Sequence, residues 1–114
     1  MKNLLILVIT VNLFLVVFTG FAYSKDVQID MLNKRADGQK MVYSEDVVKV
    51  EIGDTVTWLP KTKGHNVHFI AAPDGIKIKK SKMNKKFAHT FDKPGIYLYQ
   101  CTPHKSMGMI GLVV

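Results

Sequence analysis

The sequence predicts an all-β protein, a two-sheet antiparallel sandwich with little or no helix. Three observations support this: short segments with alternating apolar and polar residues recur along the chain, Gly, Pro and Asp turn signals separate them, and no long stretch has the helical period. About six or seven short strands are counted this way, and that number in a small domain is typical of two packed sheets.

The first 24 residues differ from the rest and are predicted to form a secretory signal peptide. Lys2 precedes an apolar stretch from Leu4 to Ala22, and Ala22-Tyr23-Ser24 has the small-x-small pattern of a cleavage site. The alternative is an uncleaved membrane anchor, because a bilayer is spanned by roughly 17 to 25 apolar residues. Removing residues 1 to 24 removes one lysine and no acidic residue, so the net charge falls from +7 to +6. Residues 25 to 114 are expected to form one small domain.

The first half of this domain contains three predicted strands. Val27, Ile29 and Met31 alternate with polar residues, and a second alternating segment runs over 48–52. Gly53-Asp54 then turns the chain into a third strand over 55–58.

The second half begins with a looser segment over 61–86. It contains a short apolar run at 67–70, the turn Pro73-Asp74-Gly75 and at most one helical turn within 77–86. Strand patterns return at 87–91, 96–101 and 109–114. In the strand over 96–101, we expect Tyr97, Tyr99 and Cys101 to face inward, because alternate residues share a face.

Cys101 is the single cysteine, so the chain has no internal disulfide. A lone cysteine in an exported domain is buried, reactive or a metal ligand. Covalent haem attachment requires two cysteines, so a chain with one cysteine cannot bind haem in this way. In a thiol enzyme, His104 or His65 would have to act as the base that activates Cys101. This hypothesis gives the nearby methionines no role, and the sequence has no evident oxyanion-hole motif. We therefore do not expect an enzyme and assign no catalytic residues.

The segment Cys101–Met109 places a thiol, an imidazole and two thioethers within nine residues, on a loop between two predicted strands. Soft ligands at this density favour copper. A blue-copper site combines one Cys and two His with a weak axial Met, so a second His must come from elsewhere in the chain. The candidates are His65 and His68, in the segment Gly-His-Asn-Val-His.

Four segments together resemble pseudoazurin, in the plastocyanin and amicyanin branch of the cupredoxins. They are Gly-His-Asn-Val at 64–67, Cys-Thr-Pro-His-x-x-Met-Gly-Met at 101–109, Asp-Thr-Val-Thr-Trp at 54–58 and the run over 91–101. The resemblance covers most of the chain after Ser44. It implies a Greek-key β-sandwich that holds one mononuclear type 1 copper.

The resemblance also implies the metal ligands: His65, Cys101, His104 and Met109. Met107 remains an alternative axial ligand, since amicyanin places its methionine two residues after the histidine. Asn66 is expected to tie the loop of the first ligand to the cysteine loop near Thr102. The two remaining histidines, His68 and His89, are expected to be packing or surface residues.

The implied function is electron transport by cycling between Cu(I) and Cu(II), in the periplasm of a Gram-negative bacterium. The exposed edge of His104 is the expected point of electron transfer. The alternative is a periplasmic copper carrier or sensor on the same fold.

A lysine-rich segment suggests how partners are chosen; its members are Lys77, Lys79, Lys80, Lys82, Lys85 and Lys86. Positive charge speeds encounter with acidic proteins. By resemblance to pseudoazurin, the expected partners are acidic redox proteins such as a copper nitrite reductase, a cytochrome or another periplasmic oxidoreductase. We expect a monomer without nucleic-acid binding or stable membrane insertion after cleavage. Pseudoazurins continue into C-terminal helices after the last strand, whereas this sequence ends at Val114, so a shorter, plastocyanin-sized domain is expected.

Overall fold

The computed structural model describes residue 20 and residues 23–114 of the 114-residue chain. Residues 23–114 contain eight β-strands in two sheets, which confirms the predicted all-β sandwich. The strands are β1 (Asp26–Lys34), β2 (Lys40–Tyr43), β3 (Val47–Val48), β4 (Thr55–Pro60), β5 (His68–Ala71), β6 (Phe87–Thr90), β7 (Tyr97–Gln100) and β8 (Ile110–Val113).

The two sheets have four strands each, in the orders β2-β1-β4-β6 and β3-β8-β7-β5. Four of the strand pairings are antiparallel, as expected, and two are parallel. The parallel pairs are β1 with β4 and β3 with β8. The two strands of each parallel pair are not neighbours in the sequence, so no hairpin joins them. Between them the chain crosses to the other sheet and then returns to run in the same direction.

Trp58 lies at the centre of the core and joins the two sheets. It is fully buried on β4 and packs edge-on against Phe69 of β5 and Tyr99 of β7, with ring centroids 5.8 and 5.1 Å apart. Tyr97, Tyr99 and Cys101 are buried, as the alternation predicted. Tyr99 packs so closely over Gly111 of β8 that a side chain there would clash with its ring, which explains a glycine inside a strand.

Three local elements differ from the expectations. Strand β2 had not been predicted, because its four residues show no alternation of apolar and polar side chains. Strand β3 is shorter than the alternating segment over 48–52. The expected helical turn within 77–86 is not formed, because that backbone instead bonds to β5 and to the residue before it, through hydrogen bonds from Phe69 N to Lys79 O and from Ser81 N to Val67 O. A short 3-10 helix forms at Thr102–Met107.

The predicted signal peptide, residues 1–24, lies almost entirely outside the described residues. Within the described part of the chain, no helix has both the length and the apolar character needed to cross a bilayer.

Candidate metal centre

Three predicted ligands meet at one end of the sandwich. The side-chain donor atoms of His65, Cys101 and His104 all lie within 4.8 Å of one another. His65 lies on the loop between β4 and β5, Cys101 directly follows β7, and His104 belongs to the 3-10 helix between β7 and β8. His65 and Cys101 are buried, while His104 is partly exposed. The cluster is therefore closed on the protein side and open at the edge of one imidazole.

The sulfur of Cys101 faces one nitrogen of each imidazole. Its Sγ lies 3.7 Å from Nδ1 of His65 and 3.4 Å from Nδ1 of His104. The two imidazole rings have centroids 4.9 Å apart and are inclined by 49°. One thiol and two imidazole nitrogens around a common point are the strong donor set of a blue-copper site.

Asn33 fixes which nitrogen of His65 is free. The Nε2–H of His65 donates a hydrogen bond of 2.7 Å to Oδ1 of Asn33, near the end of β1. Because the proton lies on Nε2, the lone pair of Nδ1 points towards the sulfur of Cys101 and can bind a cation. Asn33 was not predicted from the sequence, because it lies 32 residues before His65 and only the fold brings the two together.

Asn84 holds the backbone of the His65 loop. Its Oδ1 accepts a hydrogen bond of 2.6 Å from Gly64 N, and its own N donates to His65 O at 3.0 Å. Gly64 has a φ of 97°, which a residue with a side chain rarely adopts, and Asn84 itself has a φ of 60°. Asn84 was also missed from the sequence, since it lies within the lysine-rich segment and matches no ligand pattern.

Asn66 joins the two ligand loops. Thr102 N donates to its Oδ1 at 2.8 Å, and its Nδ2 donates to Oγ1 of Thr102 at 3.0 Å. The hydroxyl of Tyr43 donates to Asn66 O at 2.7 Å in the buried core. The link between Asn66 and Thr102 that the resemblance implied is therefore present, and it places the residue after His65 against the residue after Cys101.

The cysteine loop is compact and is closed by its own backbone. Cys101 N donates to Met109 O at 3.0 Å, and Met109 N donates to His104 O at 3.3 Å. Pro103 occupies the first turn of the 3-10 helix, where its missing N–H costs no hydrogen bond, and Gly108 ends the helix at a φ of 79°.

The two methionines of this loop have opposite environments. Met109 is fully buried, whereas the side chain of Met107 is 58% exposed. A thioether that serves as an axial ligand must reach the interior cluster. Of the two, Met109 has the burial that this role requires.

Burial favours the neutral forms of Cys101 and His65. Desolvation raises the pKa of the Cys101 thiol, while desolvation and the nearby His104 lower the pKa of His65. A bound cation reverses this balance for the cysteine, since a coordinating thiol loses its proton. The buried donors are therefore suited to a metal ion rather than to free acid–base work.

The other two histidines lie outside the cluster, as expected. His68 is on β5, where it pairs with Gln100, and His89 is on β6. The ring of His89 packs against Phe91 and Phe69, with centroids 4.8 and 5.4 Å away. It therefore belongs to the packing of the sandwich.

The surface beside His104 combines apolar and basic groups. Met83, Met107 and Ile110 are exposed by 40%, 58% and 49%. A groove beside Thr102 and Pro103 includes Met83, Lys80 and Lys82 in its walls. The basic segment predicted from the sequence thus contributes two lysines and an apolar side chain next to the cysteine loop.

The fold and the site define a class of protein: a small β-sandwich with a cysteine, two histidines and a buried methionine at one end. Residues 29–114 match the family of copper binding proteins described as the plastocyanin/azurin family. The chain therefore belongs to that family, which confirms copper as its cofactor and confirms the resemblance to cupredoxins.

Individual relatives agree with this assignment. The pseudoazurin of Paracoccus pantotrophus is 43% identical over 96 residues, which are 82% of this chain and 64% of the relative. The amicyanin of Paracoccus denitrificans is 43% identical over 75 residues, which are 62% of this chain and 57% of the relative. The chain spans about three fifths of the length of the curated pseudoazurin relatives it matches, between 59% and 64%.

Solved structures give the same result. A pseudoazurin from Sinorhizobium superposes with a TM-score of 0.76 at 44% identity, over 79% of this chain and 72% of that chain. The pseudoazurin of Methylobacterium extorquens superposes with a TM-score of 0.74 at 41% identity, over 78% of this chain and 73% of that chain.

Proposed function

We propose that this protein carries single electrons between other redox proteins through one type 1 copper, and that it catalyses no reaction itself. The observation that carries the proposal is the position of the Cys101 sulfur between two imidazole Nδ1 atoms, at 3.4 and 3.7 Å. A bound copper supplies the chemistry by alternating between Cu(I) and Cu(II).

The proposed ligands are His65, Cys101, His104 and Met109. The clustering of the first three donor atoms within 4.8 Å supports them as the strong ligands. The complete burial of Met109, against the exposure of Met107, supports Met109 as the axial ligand. His68 and His89 have no part in the proposed site.

The surrounding residues hold the ligands in one arrangement. Asn33 orients the ring of His65, Asn84 holds its backbone, and Asn66 joins its loop to Thr102. Such outer contacts fix ligand orientation and tune a metal. Ligands that are held in place undergo little rearrangement when the charge of the site changes, which favours rapid electron transfer.

His104 is the proposed point of electron transfer, because it alone of the three clustered residues reaches the surface. The exposed Met107 and Ile110 provide an apolar contact, and the nearby Lys80 and Lys82 provide positive charge. Such a surface suits brief, salt-sensitive contact with an acidic protein. We propose acidic redox partners of the kind named above, such as a copper nitrite reductase or a cytochrome.

The proposed location is the periplasm, which the protein reaches as a precursor whose signal peptide, residues 1–24, is removed. The expected mature form is a monomer of residues 25–114. The apolar stretch up to Ala22 and the small residues before Lys25 support this processing.

Electron exchange by the copper-loaded protein tests the proposal. We expect rapid electron self-exchange, measured by NMR line broadening in mixtures of the Cu(I) and Cu(II) forms. His104→Gly should slow electron transfer to a partner protein, and added imidazole should replace the missing side chain as a copper ligand. His68→Gln is the matched control and should leave transfer unchanged. Slow self-exchange together with ready release of copper to a chelator would instead indicate a copper carrier or sensor.

A further inference from the structure

A buried carboxylate lies at the opposite end of the sandwich from the metal centre, in the turn that precedes β4. Asp54 is only 4% exposed. Its Oδ1 accepts a hydrogen bond of 2.8 Å from the backbone N of Lys25, and its Oδ2 accepts one of 2.8 Å from the backbone N of Glu51. These donors, that of Lys25 first, hold the pKa of Asp54 below its usual value, so the carboxylate is ionised.

This carboxylate has no direct ion-pair partner in residues 23–114. The ion pairs found there join Arg35 to Asp37 and to Asp46. The side chain of Lys25 is exposed and acts on Asp54 only through space. A buried ionised group without a paired charge is unfavourable, so the missing partner of Asp54 calls for a physical explanation.

The atom that contacts Asp54 is also the atom that signal cleavage would release. In the uncut chain, the N of Lys25 is a neutral amide bonded to the carbonyl carbon of Ser24. Hydrolysis of this bond adds OH from water to that carbon and hydrogen to the Lys25 nitrogen, which then takes up a proton. A free α-amino group has an ordinary pKa of about 7.7 to 8.0, so it is largely charged at neutral pH.

We propose that Asp54 is a receptor for the mature amino terminus: cleavage between Ser24 and Lys25 replaces a hydrogen bond from a neutral amide with a partly buried ion pair between the α-ammonium of Lys25 and Asp54. The inference rests on the proposed export and processing, and it does not depend on the copper site.

The position of the cut matters, because neighbouring cuts do not place the charge here. The carbonyl of Lys25 accepts a hydrogen bond of 2.9 Å from Thr55 N, which fixes this residue at the start of the β1–β4 ladder. Cleavage after Ala22 would place the amino group on Tyr23, whose side chain is 86% exposed. Only the bond between Ser24 and Lys25 releases an ammonium that is already in contact with Asp54.

The pair links processing to stability. In the precursor a neutral amide donates to the Asp54 carboxylate, whereas in the mature domain the donor carries a full positive charge, which adds a direct Coulomb attraction to the hydrogen bond. The other acidic groups on the elements that meet here are exposed: Glu51 in the same turn, Asp26 on β1 and Asp92 after β6. These three side chains are more open to solvent than Asp54, so we assign the effect to Asp54.

The test uses the full chain, exported and processed in a Gram-negative host. A matched variant carries Gly-Gln inserted between Ser24 and Lys25, so that the same peptidase leaves the ammonium two residues away and Lys25 N remains an amide, while the glutamine before Lys25 prevents a second small-x-small site. Asp54→Asn is made in both backgrounds. Intact mass spectrometry should give Lys25 as the first residue of the exported parent protein. A different first residue overturns the proposal.

Thermal unfolding and NMR then measure the pair. We expect the insertion to lower the midpoint by several degrees when Asp54 is present and to have little effect in the Asp54→Asn background. An NMR titration should give the α-amino group of the parent a pKa above its ordinary value, and that of the insertion variant an ordinary one. Equal midpoints, or an ordinary pKa in the parent, would refute the pair.

The NMR comparison needs no substitution at Asp54, so it decides the question even if Asp54→Asn does not fold. Copper binding is expected to be the same in the parent and the insertion variant, because the pair lies at the far end of the sandwich. Failure of copper binding would therefore count against the proposed function alone.

Discussion

Asn33 accepts a hydrogen bond from Nε2 of His65 at 2.7 Å, on the side of the ring that faces away from the sulfur of Cys101. The contact holds the ring and keeps its proton away from the cluster. It joins strand β1, in one sheet, to a loop that carries a metal ligand.

Replacing Asn33 should therefore weaken the metal site. Asn33→Ala removes the acceptor and frees the ring to rotate or change tautomer, and we expect a loss of about 10- to 100-fold in copper affinity, measured by competition with a chelator. Asn33→Asp keeps an acceptor at the same place and should retain most of the affinity. Equal affinity of the parent and Asn33→Ala would show that the contact does not orient the ligand.

The link between Asn66 and Thr102 should stabilise the fold without metal. Asn66→Ala leaves the partly buried backbone N of Thr102 without its acceptor, and we expect the free energy of unfolding of the copper-free protein to fall by about 1 to 3 kcal/mol. Denaturant unfolding measures this. Thr102→Ser keeps both hydrogen bonds and is the control. If both variants have the same small effect on the free energy of unfolding, the hydrogen bonds between Asn66 and Thr102 do not stabilise the fold.

Lysines near His104 should steer anionic partners. Lys80→Glu combined with Lys82→Glu reverses charge in the groove beside the cysteine loop, and we expect the oxidation of the Cu(I) protein by ferricyanide to slow by about tenfold at low salt. The difference should shrink as salt is added.

The control for this experiment is Lys49→Glu. Lys49 follows β3 and lies near the end of β8 that is far from the metal centre. The substitution changes the net charge of the protein and leaves the groove unchanged. If Lys49→Glu slows oxidation by ferricyanide as much per unit of charge as the groove variant does, then net charge, and not local steering, sets the rate.

Acid should destabilise the copper-free protein partly through His89. In the folded state, burial is the main cause that lowers the pKa of His89, and the positive charge of Lys79 lowers it further. The negative charge of Asp92 acts in the opposite direction. The unfolded chain then binds more protons as pH falls below about 6.5, so stability is present above that pH and is lost below it.

His89→Phe should remove this part of the acid sensitivity. The Nδ1 atom of His89 is buried and has no hydrogen-bond partner in the described part of the chain, so phenylalanine loses no hydrogen bond at that atom. Unfolding midpoints of the copper-free proteins between pH 7 and 5 measure the effect, and the variant should lose less stability than the parent. His65 contributes in the same direction in both proteins. Parallel losses would exclude His89 as a source.

The sequence predicted those parts of the site that are close together in the chain. Cys101, His104 and Met109 share one loop, and their spacing carries the donor chemistry. His65 required a resemblance to a known family, because nothing local distinguishes it from His68. Asn33 and Asn84 were missed because each acts only through tertiary contacts: one is brought in by strand β1, the other by a backbone clamp at a positive φ.

For the fold, too, the sequence predicted features with a local pattern and missed those that depend on tertiary contacts. Alternation located strands with one buried face, such as β4 and β7, whereas β2 shows no alternation and was missed. The segment over 77–86 was misjudged because its hydrogen bonds go to β5 rather than to itself. Pairing between distant segments, including the two parallel pairs, depends on tertiary contacts that a local pattern does not encode.

Copper X-ray absorption on the exported protein, loaded with one equivalent of copper, measures directly which side chains bind the ion. We expect one short copper–sulfur contact from Cys101 and two copper–nitrogen contacts from His65 and His104, in a protein with a strong thiolate-to-copper absorption that ascorbate bleaches. Cys101→Ser should lose both the short sulfur contact and the colour. A copper ion bound in the parent protein by nitrogen and oxygen alone, without sulfur, would contradict the proposed copper site.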